Sequence, residues 1–299
     1  MNGLKMTKGF LAFILLLVTA VRSAQPVQAA PAQLLTYYFT GRITSISGTP
    51  FGLSPSLGQS VTGSITYDLG LASAYNTGAV AGYNQPSPSG MSVIISGVTI
   101  HSLNYNAFQV INNSFGFDNF NGFFTSILAG GVPNSGYVSF NLTDFTQVAF
   151  SSTALPMTLN TSSFSSRTGT VYGGGGLLSF SIDTLVMAVS INIKPDTFPN
   201  SINPQNNGVI PVAILTTNTF DATMVDAATV RFGRNGTEAA PVQSALEDVD
   251  QDGDVDMILQ FSTPTAGIQC GDTQSNLTGK TNTGASIQGS DSIITVSCK

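Results

Sequence analysis

The feature that most constrains this chain is its period-two alternation, broken at short intervals by turn residues. Leu34 to Ile46 (LLTYYFTGRITSI) is β-branched and aromatic with partial alternation, and Ser60 to Asp68 (SVTGSITYD) alternates apolar with small polar residues. Met91 to His101, Ala107 to Ile111, Tyr137 to Leu142 and Leu177 to Val189 behave similarly. A pleated strand sends successive side chains to opposite faces, so each run presents one apolar face. Between the runs lie Gly48-Thr49-Pro50, Gln85-Pro86-Ser87-Pro88-Ser89-Gly90 and Gly130-Gly131-Val132-Pro133-Asn134, all turn-forming. Gly173 to Gly176 reads as a flexible loop, because no Lys or following helix makes it a phosphate cradle. No segment carries a sustained 3.6-residue period with caps. The pattern predicts an all-β fold, a sandwich or a barrel, and a β-sandwich is expected for residues 30–190.

Composition removes several function classes. Charged residues are 9% of the chain, against about a quarter in an ordinary soluble domain. The 42% apolar content is spread among Ser, Thr, Gly and Asn, which argues against both a polytopic membrane protein and disorder. A net charge of −6 is the wrong sign for a nucleic-acid surface.

One apolar run is long. Lys5 and Lys8 precede Gly9 to Val21 (GFLAFILLLVTAV), which is too short to span a bilayer comfortably and suits a signal-peptide core. Small residues follow, and Val27-Gln28-Ala29 forms a cleavage site before Ala30. Residues 1–29 therefore read as a signal peptide, with a short membrane anchor as the competing reading. No Cys follows the run to take a lipid, and the last residues, Val296-Ser297-Cys298-Lys299, are not apolar. The expectation is a secreted protein, extracellular or periplasmic, without a stable membrane anchor. Beyond residue 29 the acids are uneven. Residues 30–190 hold four acids and two basic residues, whereas 191–299 hold twelve and five. This shift predicts two domains, 30–190 and 191–299, both sandwich-like.

Two stretches carry a resemblance. Phe39-Thr40-Gly41-Arg42-Ile43-Thr44 with Val61 to Asp68, and Leu142-Thr143-Asp144 with Ala154-Leu155-Pro156, Leu159 and Phe164, make residues 32–190 similar to exported bacterial β-sandwich domains found in PEP-CTERM proteins. The second part opens on Ile191-Asn192-Ile193-Lys194-Pro195. It runs through Gly208 to Leu215 and Ala228 to Gly233, both read as strands, to Gly289-Ser290-Asp291-Ser292-Ile293. It resembles a recurrent C-terminal module of exported bacterial proteins. Neither resemblance implies catalytic residues. Pro211 inside the Gly208–Leu215 run predicts an edge strand or a strand start.

Glu247 to Asp256 places six carboxylates in ten residues. Asp248, Asp250, Asp252 and Asp256 match positions 1, 3, 5 and 9 of a calcium loop, Gly253 supplies the turn at position 6, and Asp254 offers a backbone carbonyl at position 7. Hard oxygen donors at this spacing suit Ca²⁺ rather than zinc. Position 12 is Leu259, in an apolar strand-like run, Met257 to Phe261. The loop is therefore not an EF-hand but resembles the D-x-D-x-D-G-x-x-D loops between strands of integrin-type β-propellers, where Asp256 can bind bidentately. The competing reading is a solvated acidic turn. Bare carboxylates about 4 Å apart repel by about 1 kcal/mol per pair even in water, so a cation is the natural neutraliser.

Cys270 and Cys298, the only cysteines, predict a disulfide in an oxidising compartment, with two free thiols as the alternative. His101 is the sole histidine, at a strand end, and as a triad base it would need a nucleophile and an orienting acid, which sequence alone does not place. Glycosidase chemistry needs two flanking carboxylates, which the first segment barely offers, and there is no Trp. The aromatic-dense Phe115 to Phe124 reads as core strands and a loop, with a ligand surface as the alternative. The expectation is a secreted, non-enzymatic calcium-binding protein of the cell envelope or extracellular space. The alternative is a carbohydrate-binding or adhesive module whose partner is an extracellular glycan or surface protein. N-terminal sequencing of exported protein should begin near Ala30; recovery of Met1 in that material would refute the signal peptide.

Overall fold

A computed structural model describes residues 32–103 and 106–298. The signal-peptide assignment, residues 1–29, lies outside the described residues. Residues 32–190 form β1 (Leu34–Gly48), β2 (Ser60–Asp68), β3 (Tyr75–Asn76), β4 (Val80–Gln85), β5 (Gly90–Ile95), β6 (Val98–Ser102), β7 (Asn106–Ser114), β8 (Phe117–Ala129), β9 (Val132–Asp144), β10 (Ser166–Gly173), β11 (Gly176–Ser181) and β12 (Thr184–Ala188). Residues 191–298 form β13 (Ile191–Ile193), β14 (Ser201–Ile202), β15 (Val209–Ile214), β16 (Arg231–Gly233), β17 (Pro241–Glu247), β18 (Asp256–Ser262), β19 (Gln274–Lys280), β20 (Ser286–Ser292) and β21 (Ile294–Thr295). The described residues are all-β, with only short 3-10 turns besides.

The alternation allows a sandwich or a barrel and a β-sandwich is the expectation for residues 30–190, but the hydrogen bonds close a ring. β1, β2, β5, β6, β8, β9, β10 and β11 follow one another antiparallel, and β11 returns to β1. Closure removes exposed edges. Along β2, Val61, Ile65 and Tyr67 point inward and are fully buried, while Ser60, Thr62, Ser64 and Thr66 face out. That is the reverse of a membrane barrel, whose outer band is apolar. No helix among the described residues is long and apolar enough to cross a membrane.

The barrel interior is aromatic. Tyr67, Phe108, Phe120, Phe124 and Phe140 meet with ring centroids as close as 5.1 Å for Phe108–Phe124 and 5.2 Å for Phe120–Phe140. The Phe115–Phe124 segment is thus core at its inward positions, Phe120 and Phe124, whereas Phe115 and Phe123 are exposed. Residues 153–159 lie over the barrel because tyrosine hydroxyls satisfy their backbone. Tyr67 Oη donates to the Pro156 carbonyl at 2.6 Å, and Tyr83 Oη donates to the Thr153 carbonyl at 2.8 Å. Tyr37 Oη accepts from the Leu159 N–H at 2.8 Å. Burial pushes the Tyr37 and Tyr67 phenols up, which keeps them protonated.

β12 pairs in parallel with β20, so the sheet continues into the second segment through β19 and β16. The described residues consequently form one compact unit. A separate four-stranded sheet has the order β13-β15-β18-β17. Pro211 sits inside β15, a central strand rather than an edge. Its carbonyl accepts from the Lys194 N–H, just past the end of β13, and the Lys194 carbonyl accepts from the Thr197 N–H at 3.1 Å, so no N–H of Pro211 is needed there. The expected strand over Ala228–Gly233 shortens to β16, since Ala227–Thr229 forms a 3-10 turn capped by Asp226. Cys270 and Cys298 are bonded, as predicted.

Asp144 ends β9 in a buried position. Burial alone would raise its carboxyl, but the hydroxyl and N–H of Thr146 and the N–H groups of Val148 and Ala149 outweigh it and hold the group below its ordinary value. A depressed carboxyl stabilises the fold above the unfolded-state pKa, and that contribution is lost as pH falls through the folded value. Thermal melts of wild type should therefore weaken below about pH 4. Asp144→Ala should cost about 1–3 kcal/mol at neutral pH by leaving these donors unpaired, and should flatten the acid limb; an unchanged acid limb would refute this role.

Candidate metal centre

The acidic loop is the connection between two antiparallel strands. β17 ends at Glu247, β18 starts at Asp256, and residues 248–255 bridge them. Two loop residues have left-handed backbone, Gln251 at φ 62° and Gly253 at φ 98°. Gly253 adopts this conformation without a steric cost, which is the need read from its place in the motif.

Three carboxylates converge. Asp248, Asp250 and Asp256 each offer an oxygen, and these oxygens lie within 4.8 Å of one another. Asp248 and Asp250 are exposed, while Asp256, the first residue of β18, is fully buried. The strand's pleat turns Asp256 inward beneath the loop. Its Oδ1 accepts from the Thr216 N–H at 2.8 Å and its Oδ2 from the Val249 N–H at 3.0 Å. Thr216 is itself fixed: its hydroxyl donates to the Val255 carbonyl at 2.6 Å and accepts from the Ala222 N–H at 3.0 Å. Asp248 Oδ2 accepts from the Gly253 N–H at 3.2 Å, which folds the loop over its own start.

Asp252 and Asp254 stand differently from the other three. Asp252 Oδ1 accepts from the Asp254 N–H at 2.9 Å, and neither residue belongs to the converging group. Partial desolvation, then the nearby Asp252 and Asp256 charges, raise the Asp250 carboxyl above its ordinary value. Carboxylate oxygens each carry two lone pairs, so the hydrogen bonds to Asp256 leave acceptor capacity toward the loop centre. The donor set is all oxygen, which fits a hard cation such as Ca²⁺.

No protein-family model matches the chain, nor does any curated protein or solved structure.

The motif spacing located the loop but not its support. Thr216 lies forty residues before Asp256 and carries no local signal; only the fold places it there. His101 stands on β6, in a different sheet from β18, beside a cavity of about 210 Å³ whose lining includes five serines and no carboxylate. Without added metal, Asp256→Ala should cost about 1–3 kcal/mol, since the N–H groups of Thr216 and Val249 lose their acceptor. Asp254→Ala, on the exposed side of the loop, should stay within about 0.5 kcal/mol. Equal chemical-denaturation midpoints for the two variants would refute the anchoring role of Asp256.

Proposed function

We propose that this chain is an exported, non-enzymatic β protein of the cell envelope or extracellular space, stabilised by calcium in the loop of residues 248–256. The observation that carries the reading is the convergence of Asp248, Asp250 and Asp256 on one side of a β-hairpin connection, with the buried Asp256 held by two backbone N–H groups. Repulsion among these carboxylates favours a divalent occupant. Asp252 and the Asp254 carbonyl complete the proposed ligand set after a local rearrangement of the loop, and water fills the remaining positions. Export is supported by the leader-like residues 1–29 and by the Cys270–Cys298 bond, a type of link that persists in oxidising compartments. The two-module reading, 30–190 and 191–299, is supported by the charge shift near residue 190 and by the separate β13-β15-β18-β17 sheet. Within it, the resemblance to exported bacterial modules supplies the setting. The non-enzymatic part rests on His101, whose cavity offers no carboxylate to orient it.

The test belongs on the intact mature chain, because β12 and β20 share hydrogen bonds across the segment boundary. Affinity should be extracellular in grade, with Kd about 10⁻⁴–10⁻³ M. Calcium at about 100 times Kd should add about 2.7 kcal/mol of stability, and EDTA should remove it. Asp248→Ala or Asp250→Ala should abolish the rise in melting temperature. Asp272→Ala, whose carboxylate pairs with Arg234 outside the loop, should keep the rise. A wild-type melting curve indifferent to millimolar calcium would leave the loop a solvated acidic turn.

A further inference from the structure

Away from the acidic loop, the outer face of the large sheet is hollowed where the barrel meets the second segment. Two adjoining cavities of about 340 Å³ each share Tyr38 and Gln288. Tyr38 stands on β1 between Ser64 of β2 and Val186 of β12, and the parallel β12–β20 pair carries Gln288 alongside. Tyr38 is 44% exposed and lines both cavities. One end of the groove is walled by amides, Gln274 and Asn276 of β19 and the nearby Asn235; the other end by hydroxyls such as Thr40 and Ser64.

We infer that this groove binds a neutral oligosaccharide. Three features select that class. First, none of the residues lining either cavity is charged at neutral pH, although the chain carries −6. A phosphate or a uronate would find no cationic side chain in the lining, and the acidic body repels polyanions. Second, two of the amides retain capacity, whereas Asn276 donates to the Arg234 carbonyl at 2.7 Å and Asn235 to the Glu238 carboxylate at 2.8 Å. Among the described residues the Gln288 amide has no side-chain partner, and Gln274 makes only a 3.4 Å contact with Asn276. A side-chain amide offers a donor and an acceptor side by side, which matches the adjacent hydroxyls of a sugar ring. Third, an exposed aromatic ring presents a broad apolar face with an electron-rich surface, suited to the C–H face of a pyranose. A concave site with a few convergent polar groups is the usual form of a small-ligand pocket. Added peptide strands need a free sheet edge, whereas β1, β12 and β20 here all have neighbours on both sides.

The groove is separate from the calcium loop, which joins strands of the other sheet, so either assignment can fail alone. The test is calorimetric titration of the intact mature protein, with calcium present, against neutral gluco-, manno-, xylo- and galacto-oligosaccharides. Polygalacturonate and an extended neutral peptide serve as comparators. At least one neutral oligosaccharide should bind, with affinity insensitive to salt. Tyr38→Ala and Gln288→Ala should each weaken it about tenfold, the scale of an anchor residue, with melting temperatures unchanged. Phe123→Ala, an exposed aromatic on β8 across the barrel, should leave binding intact. The proposal is overturned if no neutral oligosaccharide in the panel binds. It is equally overturned if binding survives both groove substitutions, or if the polyuronate or the peptide binds in preference.

Discussion

The structure depends on how β1 shares its hydrogen bonds. Its fifteen residues serve three partners. Leu34 to Arg42 pair with β2, Tyr37 to Thr40 also pair with β12, and Ile43 to Gly48 pair with β11. The exchange from β12 to β11 falls at Gly41, where a Cβ would lie 1.8 Å from the Ser181 carbonyl oxygen. Only glycine lets the two backbones approach that closely. The crossing is then tied by the Asp183 N–H on the Thr40 carbonyl at 2.7 Å and by the Arg42 N–H on Ser181 Oγ at 3.2 Å. One strand thus closes the barrel and also offers β12, the strand on which the second segment builds.

That dual role explains which parts of the fold were legible in the sequence. Period-two runs found β1 and β2 with nearly the observed bounds, because a strand with one buried face writes its own pattern. The pattern says which face is buried but not which strands meet. Ring closure through β11 and β1, and the parallel β12–β20 register, are long-range pairings with no local trace. Pro211 misled for a related reason: a proline reports a missing N–H, and whether that position needs a partner depends on where β13 stops.

The acidic loop divides in the same way. Alternating aspartates around Gly253 are a local feature, so the loop, its turn and its hard-oxygen chemistry were all readable. The unequal standing of its carboxylates was not. Asp256 differs from Asp254 because it starts β18 and is drawn beneath the loop by Thr216, a residue positioned by the end of β15. The groove at Tyr38 had no signature at all, since its two walls come from segments about 250 residues apart in sequence. Serines, threonines and amides that read as filler between apolar positions become, once the sheet is assembled, one uncharged surface.

The distribution of strand lengths accounts for where the staples fall. The barrel has strands of up to fifteen residues around a dense aromatic interior and contains no cysteine. In the second segment β14 and β21 have two residues each, and β13 and β16 three. Short strands make few ladder bonds and bury little apolar surface, the regime in which small modules recruit disulfides or metals. The Cys270–Cys298 bond closes a separation of 28 residues, worth about 3–4 kcal/mol in the chain-entropy model. It fastens the chain just beyond β21, which among the described residues has two bridging pairs with β14 as its sheet contacts. The acidic loop lies at the end of the β17–β18 hairpin, whose β17 is an exposed edge strand. An ion there would hold both ends of the connection through Asp248 and Asp256, fixing the edge strand to the buried one. The disulfide therefore fastens the weakly paired β21, the carboxylate cluster joins the ends of an edge hairpin in the same segment, and the barrel supplies the rigid edge, β12, against which that segment is built.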